Sequence, residues 1–264
     1  MNLSNESFQA VADLFHGISG IRLAESKRSL VAGRLQKLAQ VQGMRSLDDY
    51  VDRLLSDRDP DEIIRVVDKL TTNETYFFRE PQHFQFMAEV LGRWPAGKPF
   101  RVWSAASSSG EEAYSIAMLL AEKLGPSGWE VVGTDLSTEM VASAQRALYP
   151  MSRARHTPRE YLKRYCLRGE GAYDGQLLIS KALRQHVRFS TANLMEPLPD
   201  LGRFDIIFLR NVLIYFDSPA KTAIVESVSQ LLQPHGYLFV GHAESLAHLQ
   251  VGLRAERTAV YTRT

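Results

Sequence analysis

Over the first hundred positions the apolar residues recur at helical spacing. Positions 4–16 carry Phe8, Val11, Leu14 and Phe15 on one face, and positions 26–41 carry Leu30, Val31, Leu35 and Leu38 at the same period. Positions 46–55 and 61–70 read as two further short amphipathic helices. Between them Ser56-Asp57-Arg58-Asp59-Pro60 is a turn cluster, with Asp59 placed as an N-cap and Pro60 at the first helical position. No strand pattern occurs before about residue 100, so this part predicts a small all-helical bundle.

Beyond it the texture changes. Short apolar runs at 100–105, 130–134, 187–191, 204–209 and 237–241 alternate with helical stretches at 111–124, 138–147 and 220–232. Buried short strands alternating with helices predict a parallel βαβ sheet, and 255–262 reads as a final edge strand. Residues 149–186 break the rhythm with a basic helical piece at 159–165. There follows Arg168-Gly169-Glu170-Gly171-Ala172-Tyr173-Asp174-Gly175, then strand-like 176–180. Three glycines so close together predict a tight hairpin grafted onto the sheet domain, with 176–180 left as an open edge. The expected division is a helical domain over 1–72, a linker and connecting helix over 73–98, and an α/β domain over 99–264 with an insert at about 150–186.

Composition narrows the class. The 264 residues are 45% hydrophobic and 23% charged, which is ordinary for a globular chain. Lys and Arg total 31 against 30 Asp and Glu, a balance that argues against a dedicated nucleic-acid binder. Cys166 stands alone, so neither an intrachain disulfide nor a cysteine-based zinc site is expected. No apolar run approaches the roughly 20 residues of a membrane helix, and the start of the chain lacks a signal-peptide pattern. A cytoplasmic location without membrane insertion is the expectation. The seven histidines are scattered without metal-ligand spacing, so no metal is expected.

The first strand, Arg101-Val102-Trp103-Ser104-Ala105, runs into Ala106-Ser107-Ser108-Ser109-Gly110-Glu111-Glu112 and then a helix. In a parallel sheet that loop is where nucleotides bind. With one glycine it is not a dinucleotide fingerprint, and no Gly-Lys-Ser/Thr follows, so it is not a P-loop. Two carboxylates at the helix start disfavour phosphate. The next strand ends in Asp135, where an acidic residue commonly meets ribose hydroxyls. Plainer readings stand beside these. Ser109-x-x-Glu112 matches a capping box, and Asp135 before Leu136-Ser137-Thr138 fits a helix start. Together, the order and spacing favour a nucleoside not held by phosphates, of which S-adenosylmethionine is the common one.

Here a family resemblance takes over. Thr72-Asn73-Glu74-Thr75-Tyr76-Phe77-Phe78-Arg79-Glu80 resembles the signature of the CheR-type chemoreceptor glutamate methyltransferases, and Trp103 to Ala117 is similar to that family's cofactor loop. Arg210-Asn211-Val212-Leu213-Ile214-Tyr215-Phe216 and GYLFVGHAESL at 236–246 resemble two further hallmarks. The departures are mild: family members often carry Cys where Ser104 and Ser107 stand, Thr at Ser109 and Pro at Ala113. The resemblance spans almost the whole chain and implies a Rossmann-like S-adenosylmethionine-dependent sheet with a small β-subdomain behind a helical domain.

It also implies roles. Asn73, Thr75 and Arg79 reach the cofactor's methionine end, Glu112 and Asp135 hold its amino acid and ribose, and Asn193-Leu194 flank the adenine. Arg210-Asn211 line the pocket, Tyr215 faces the transferable methyl, and Arg79 is a positioning clamp for a carboxylate. A basic helix bearing Lys27, Arg28, Arg34 and Lys37 would face a glutamate-rich receptor helix, with Arg34 and Lys37 as the substrate contacts. The hairpin would capture a receptor C-terminal peptide by strand addition. The implied activity is methyl-ester formation on receptor glutamates by a monomer, with S-adenosylhomocysteine as co-product. Alternatives are a non-catalytic cofactor-binding signalling protein or a methyltransferase for another substrate class.

Overall fold

The computed structural model describes residues 1–263. Four helices open the chain: α1 (Asn5–Ser19), α2 (Arg28–Val41), α3 (Leu47–Asp57) and α4 (Pro60–Leu70). Each start has a chemical cause. Ser4 Oγ accepts from the Ser7 N–H, Ser46 Oγ from Asp48 and Asp49, and Asp59 from Asp61, with Pro60 in the first turn. Their apolar faces close around Phe8, Phe15, Leu35, Leu47 and Val66. Of the helical face read from the sequence, Leu30 stays 45% exposed while Val31, Leu35 and Leu38 are buried. A connecting helix, α5 (Pro81–Gly92), leads to the sheet domain.

There the order is β1 (Phe100–Ala105), α6 (Glu111–Leu124), β2 (Trp129–Asp135), α7 (Thr138–Arg146), β3 (Leu148–Pro150), α8 (Arg159–Tyr165), β4 (Cys166–Arg168), β5 (Gln176–Ile179), α9 (Lys181–Arg184), β6 (Val187–Thr191), β7 (Phe204–Leu209), α10 (Ser218–Gln230), β8 (Leu232–Val240), β9 (Leu253–Arg257) and β10 (Val260–Arg263). The main sheet runs β6-β2-β1-β7-β8-β10-β9. Its first five strands are parallel, while β10 is antiparallel to both β8 and β9. The chain lays β1, β2 and β6 outward, then crosses back to place β7 on the other side of β1. That reversal opens a crevice beyond the carboxyl ends of β1 and β7, the usual ligand position in open α/β sheets.

Two expectations change here. The terminal edge strand is a hairpin in which β10 is interior and β9 forms the edge. Its turn is short, two residues with Ala259 at a φ of 59°. The second change is in the insert. β3, β5 and β4 form a separate antiparallel sheet in that order, so 176–179 is its centre and not an open edge. Three-residue strands are too short to show a period, so only the glycine-rich turn and the strand at 176–180 were legible. The open edges are β3 and β4, and Leu167 on β4 is 58% exposed.

Candidate active site

A cavity of about 350 Å³ lies at the sheet's switch point, roofed by the helical domain. That falls within the ordinary range for small-ligand pockets. The carboxyl ends of four parallel strands supply its floor: Ala106, Ser107 and Ser108 after β1, Asp135 on β2, Asn193 and Leu194 after β6, and Arg210 to Val212 after β7. The linker supplies one wall with Asn73, Thr75, Tyr76 and Arg79, and α2 with its N-cap Lys27 supplies the roof through Lys27, Leu30, Val31 and Arg34.

The loop after β1 is wound tightly. Ala106, Ser108 and Gly110 have φ of 61°, 49° and 96°, three left-handed residues in five. For the two non-glycines that backbone is strained, and the surroundings hold it. Ser107 N–H donates to the Thr134 carbonyl at 2.8 Å, and Ser108 N–H to Asp135 Oδ2 at 2.7 Å. Asp135 Oδ1 accepts from Ser137 N–H at 2.9 Å. Asp135 therefore ties two loop starts together while lining the cavity. Burial pushes its carboxyl above the usual range despite these bonds.

The capping-box alternative for Glu112 is absent. Gly110 caps α6, and Ser109 Oγ donates to Glu111, which is buried and lies 3.5 Å from Arg153. Glu112 instead accepts from Ser104 Oγ at 2.7 Å and lies 3.4 Å from Arg210 Nη1 on the cavity wall. Burial raises its carboxyl above the ordinary range, outweighing the nearby Arg210. The Ser104 hydroxyl thus has an acceptor that a thiol at this position would serve more weakly.

Arg210 joins the components. Its side chain is 1% exposed, and it donates to the Arg79 carbonyl at 2.6 Å. The guanidinium lies between Glu80 Oε2, at 3.2 Å, and Glu112. Nε and Nη1 of Arg210 have no hydrogen-bond partner, leaving donors available beside the cavity. Asn211, at φ 56°, donates through Nδ2 to Glu80 Oε1 at 3.2 Å. Burial opposes ionisation of Glu80, but Arg210 and Asn211 outweigh it and hold the carboxyl below its ordinary range. Behind these groups His83, 2% exposed, has its pKa pushed down to about 3 by burial and by Arg210.

The linker is stitched in place along its length. Phe77 N–H donates to the Arg153 carbonyl at 3.1 Å, Phe78 N–H to Ser115 Oγ at 3.0 Å, and Arg153 donates to the Thr75 carbonyl. Phe78 and Glu80 both have φ of 56°, an unusual backbone for so bulky a residue as Phe. The side chains of Phe77 and Phe78 are core, while Tyr76 faces the cavity. Arg79 donates to the Glu74 carbonyl at 2.8 Å and lines the cavity with its guanidinium 5.9 Å from the Tyr76 ring.

Tyr215 sits on the cavity wall in a short 3₁₀ turn at 213–215. Burial keeps its hydroxyl protonated beyond the usual phenol range. The turn is fixed by Glu244, which is 8% exposed. Its Oε2 accepts from Gly241 and Asn211 at 2.6 and 2.8 Å, and its Oε1 accepts from Ile214 at 3.2 Å. A Cβ on Gly241 would lie 2.5 Å from Asn211 Nδ2, so only glycine fits.

Cavity walls thus bring together Asn73, Thr75, Arg79, Glu112, Asp135, Asn193, Leu194, Arg210, Asn211 and Tyr215. Asn193 also donates to the Ile18 carbonyl at 2.7 Å, joining the two halves of the molecule. The basic helix divides: Lys27 and Arg34 line the cavity, whereas Lys37 is exposed elsewhere. Arg34 Nη1 is committed to the carbonyls of Leu70 and Thr71, at 2.8 and 3.0 Å. Glu80 and Glu244 were not singled out from the sequence. Both lie inside quoted motifs, and their single carboxylates carry no periodic signal.

Comparison with known families and proteins agrees in extent and order. Residues 6–71 match the all-alpha domain of CheR methyltransferases, and residues 73–261 match the S-adenosylmethionine-binding domain of the same family. Chemotaxis protein methyltransferase 2 of Pseudomonas aeruginosa is 39% identical over 98% of this chain and 93% of its own. The chemotaxis protein methyltransferase of Salmonella typhimurium is 38% identical over 94% of this chain and 86% of its own. That of Escherichia coli is 37% identical over 98% of this chain and 91% of its own.

Proposed function

The chain belongs to the CheR family of S-adenosylmethionine-dependent methyltransferases, and from that premise we propose that it esterifies glutamate side chains on the cytoplasmic helices of chemoreceptors. The observation that carries the reading is the cavity itself. One wall offers the Glu112 carboxylate, the floor offers Asp135, and Arg210 beside Glu112 has Nε and Nη1 without a hydrogen-bond partner. That donor set suits a ligand with an ammonium, a carboxylate and a ribose and has no phosphate cradle. Glu112 would face the ammonium, Asp135 the ribose hydroxyls, and Asn193 and Leu194 the base. Asn73 and Thr75 would approach the methionine end.

When bound, the cofactor supplies a methyl group on a sulfonium. The attacking glutamate is already ionised at neutral pH, so the protein need not provide a base. A cation and an anion become neutral products, so strong ionic pairing of the attacking carboxylate would hold it back. This chain's residues therefore act by alignment and by excluding water. Arg79 has a planar fork matched to a carboxylate and sits on the wall beside Tyr76. Tyr215, held protonated by burial, donates a hydrogen bond and positions without abstracting. Lys27 and Arg34 give the cavity's roof a positive character suited to an acidic helix, and exposed Leu30 and Ile214 offer apolar contact.

The open β4 edge supports a second contact, with an extended receptor tail. Gly169 N–H donates to Gln176, and the Tyr165 carbonyl accepts from Ser180, so both face β5. By alternation the Arg168 N–H and carbonyl point outward, ready for an added strand. Among the described residues no helix is long and apolar enough to cross a membrane. The test is incubation with radiolabelled S-adenosylmethionine and receptor cytoplasmic fragments. Label released as methanol by base supports glutamyl esters; stable label on other groups overturns the substrate class.

A further inference from the structure

We propose that Glu80, His83 and His242 form an inhibitory site for a divalent transition-metal ion, with zinc as the prototype. The three residues come from the start of α5 and the segment after β8, and their ligand atoms lie within 4.8 Å of one another. His83 is 2% exposed, yet neither of its ring nitrogens has a hydrogen-bond partner, and Glu80 Oε2 lacks one too. Those two groups face each other, with Nδ1 3.4 Å from Oε2. Tetrahedral bonds of about 2.0–2.1 Å place ligand atoms roughly 3.3–3.4 Å apart, so this edge is already set. His242 is exposed, and its ring already lies beside that of His83, with centroids 4.8 Å apart. Two imidazoles and one carboxylate with an open fourth position are a zinc donor set, and one that magnesium does not favour. Glu80 Oε1 is occupied by Asn211 and the His242 N–H, which leaves Oε2 as the binding oxygen.

Arg210, 3.2 Å from Glu80 Oε2, opposes a cation here. It lowers the expected affinity and is also the route of inhibition. A metal that takes Glu80 leaves Arg210 to Glu112, its other partner at 3.4 Å. On the cofactor assignment proposed above, which this step rests on, Glu112 is then diverted from the cofactor's ammonium. Binding should be reciprocal: zinc weakens the cofactor and the cofactor weakens zinc by the same factor.

The experiment is calorimetric titration of the full chain with zinc, with and without S-adenosylhomocysteine, repeated with cobalt to read the visible spectrum. One zinc per chain, a tetrahedral cobalt spectrum and at least tenfold weaker binding in His242→Ala are expected. His242→Ala should keep its cofactor affinity in the absence of metal, which shows that it is folded. Absence of zinc binding, or zinc binding unchanged in His242→Ala, overturns the site. Zinc binding with undiminished cofactor affinity overturns the inhibition. Failure to bind the cofactor even without metal overturns the cofactor assignment and not the metal site.

Discussion

Replacing Glu112 by Gln asks what the buried carboxylate is for. The substitution keeps the shape and an acceptor for Ser104 Oγ, at 2.7 Å in the native protein. It removes the negative charge 3.4 Å from Arg210. Arg210 still has Glu80 at 3.2 Å, and loss of the Glu112 charge relieves the burial that raises its pKa. Stability should therefore fall by less than the roughly 3–5 kcal/mol that stripping a buried charge of its partner costs, since Arg210 keeps Glu80. Affinity should change more. A hydrogen bond to a charged group contributes about 1.5–3 kcal/mol, which corresponds to roughly 10- to 150-fold in dissociation constant. The loss should fall equally on S-adenosylmethionine and S-adenosylhomocysteine, because both carry the ammonium. It should spare 5′-methylthioadenosine, which keeps the nucleoside and lacks the amino acid. Isothermal calorimetry with the three ligands, beside a thermal melt, separates these outcomes. Equal weakening of all three ligands would show that Glu112 shapes the pocket and does not recognise the ammonium, and unchanged affinity for all three would remove it from the site.

Asp135→Ala should weaken methylthioadenosine as well, by about 10- to 150-fold, since the ribose is common to all three ligands; unchanged affinity would leave Asp135 a purely structural tie. Because burial raises the carboxyls of both Glu112 and Asp135, they protonate above the ordinary carboxylate range. Cofactor affinity should accordingly fall as pH is lowered toward that range, and Glu112→Gln should flatten part of the fall in a calorimetric pH series. Arg79→Lys keeps the charge but loses the fork, so single-turnover assays should show a large loss of methyl transfer with the fold intact; full rescue by Lys would leave charge alone as its role. Glu244→Gln leaves one backbone donor facing an amide, at a cost of about 1–3 kcal/mol in a melt, and should lower kcat more than cofactor affinity by loosening Tyr215. Arg168→Pro removes the outward N–H of β4 and should abolish receptor-tail binding in a peptide titration while leaving cofactor affinity intact.

What could be read in advance followed the lengths of the elements. Phe100–Ala105 and Phe204–Leu209 are buried runs, Val187–Thr191 is a short strand buried only at Val187, and the limits of all three were visible in the chain. The cap at Asp59 and Pro60 after it announced the start of α4. Leu148–Pro150 and Cys166–Arg168 were invisible because three residues cannot display an alternation, and their pairing with β5 is a long-range choice. The same holds at the site. Residues at strand ends and in a loop of small residues could be placed by topology. Glu80 and Glu244 could not, because each acts on backbone or side chains brought close only by folding. The roof was foreseen as a basic face, but which of its cations would turn inward depended on the carbonyls at the end of α4 that hold Arg34.

The linker between Thr71 and Glu80 is at once a covalent tether and a cavity wall, and this bears on how such chains can be divided or recombined. The sheet domain alone would keep Glu112 and Asp135 but lose the roof formed by α2, along with the bond from Asn193 to Ile18. The helical domain alone carries no part of the sheet floor. Recombining halves from two relatives would join surfaces that had never been fitted to each other, and the cofactor would sense the mismatch before the receptor did. The helical domain is therefore a module in sequence but not in chemistry. On the receptor docking proposed above, a change of receptor preference made through its surface would stay tied to the methyl donor beneath it.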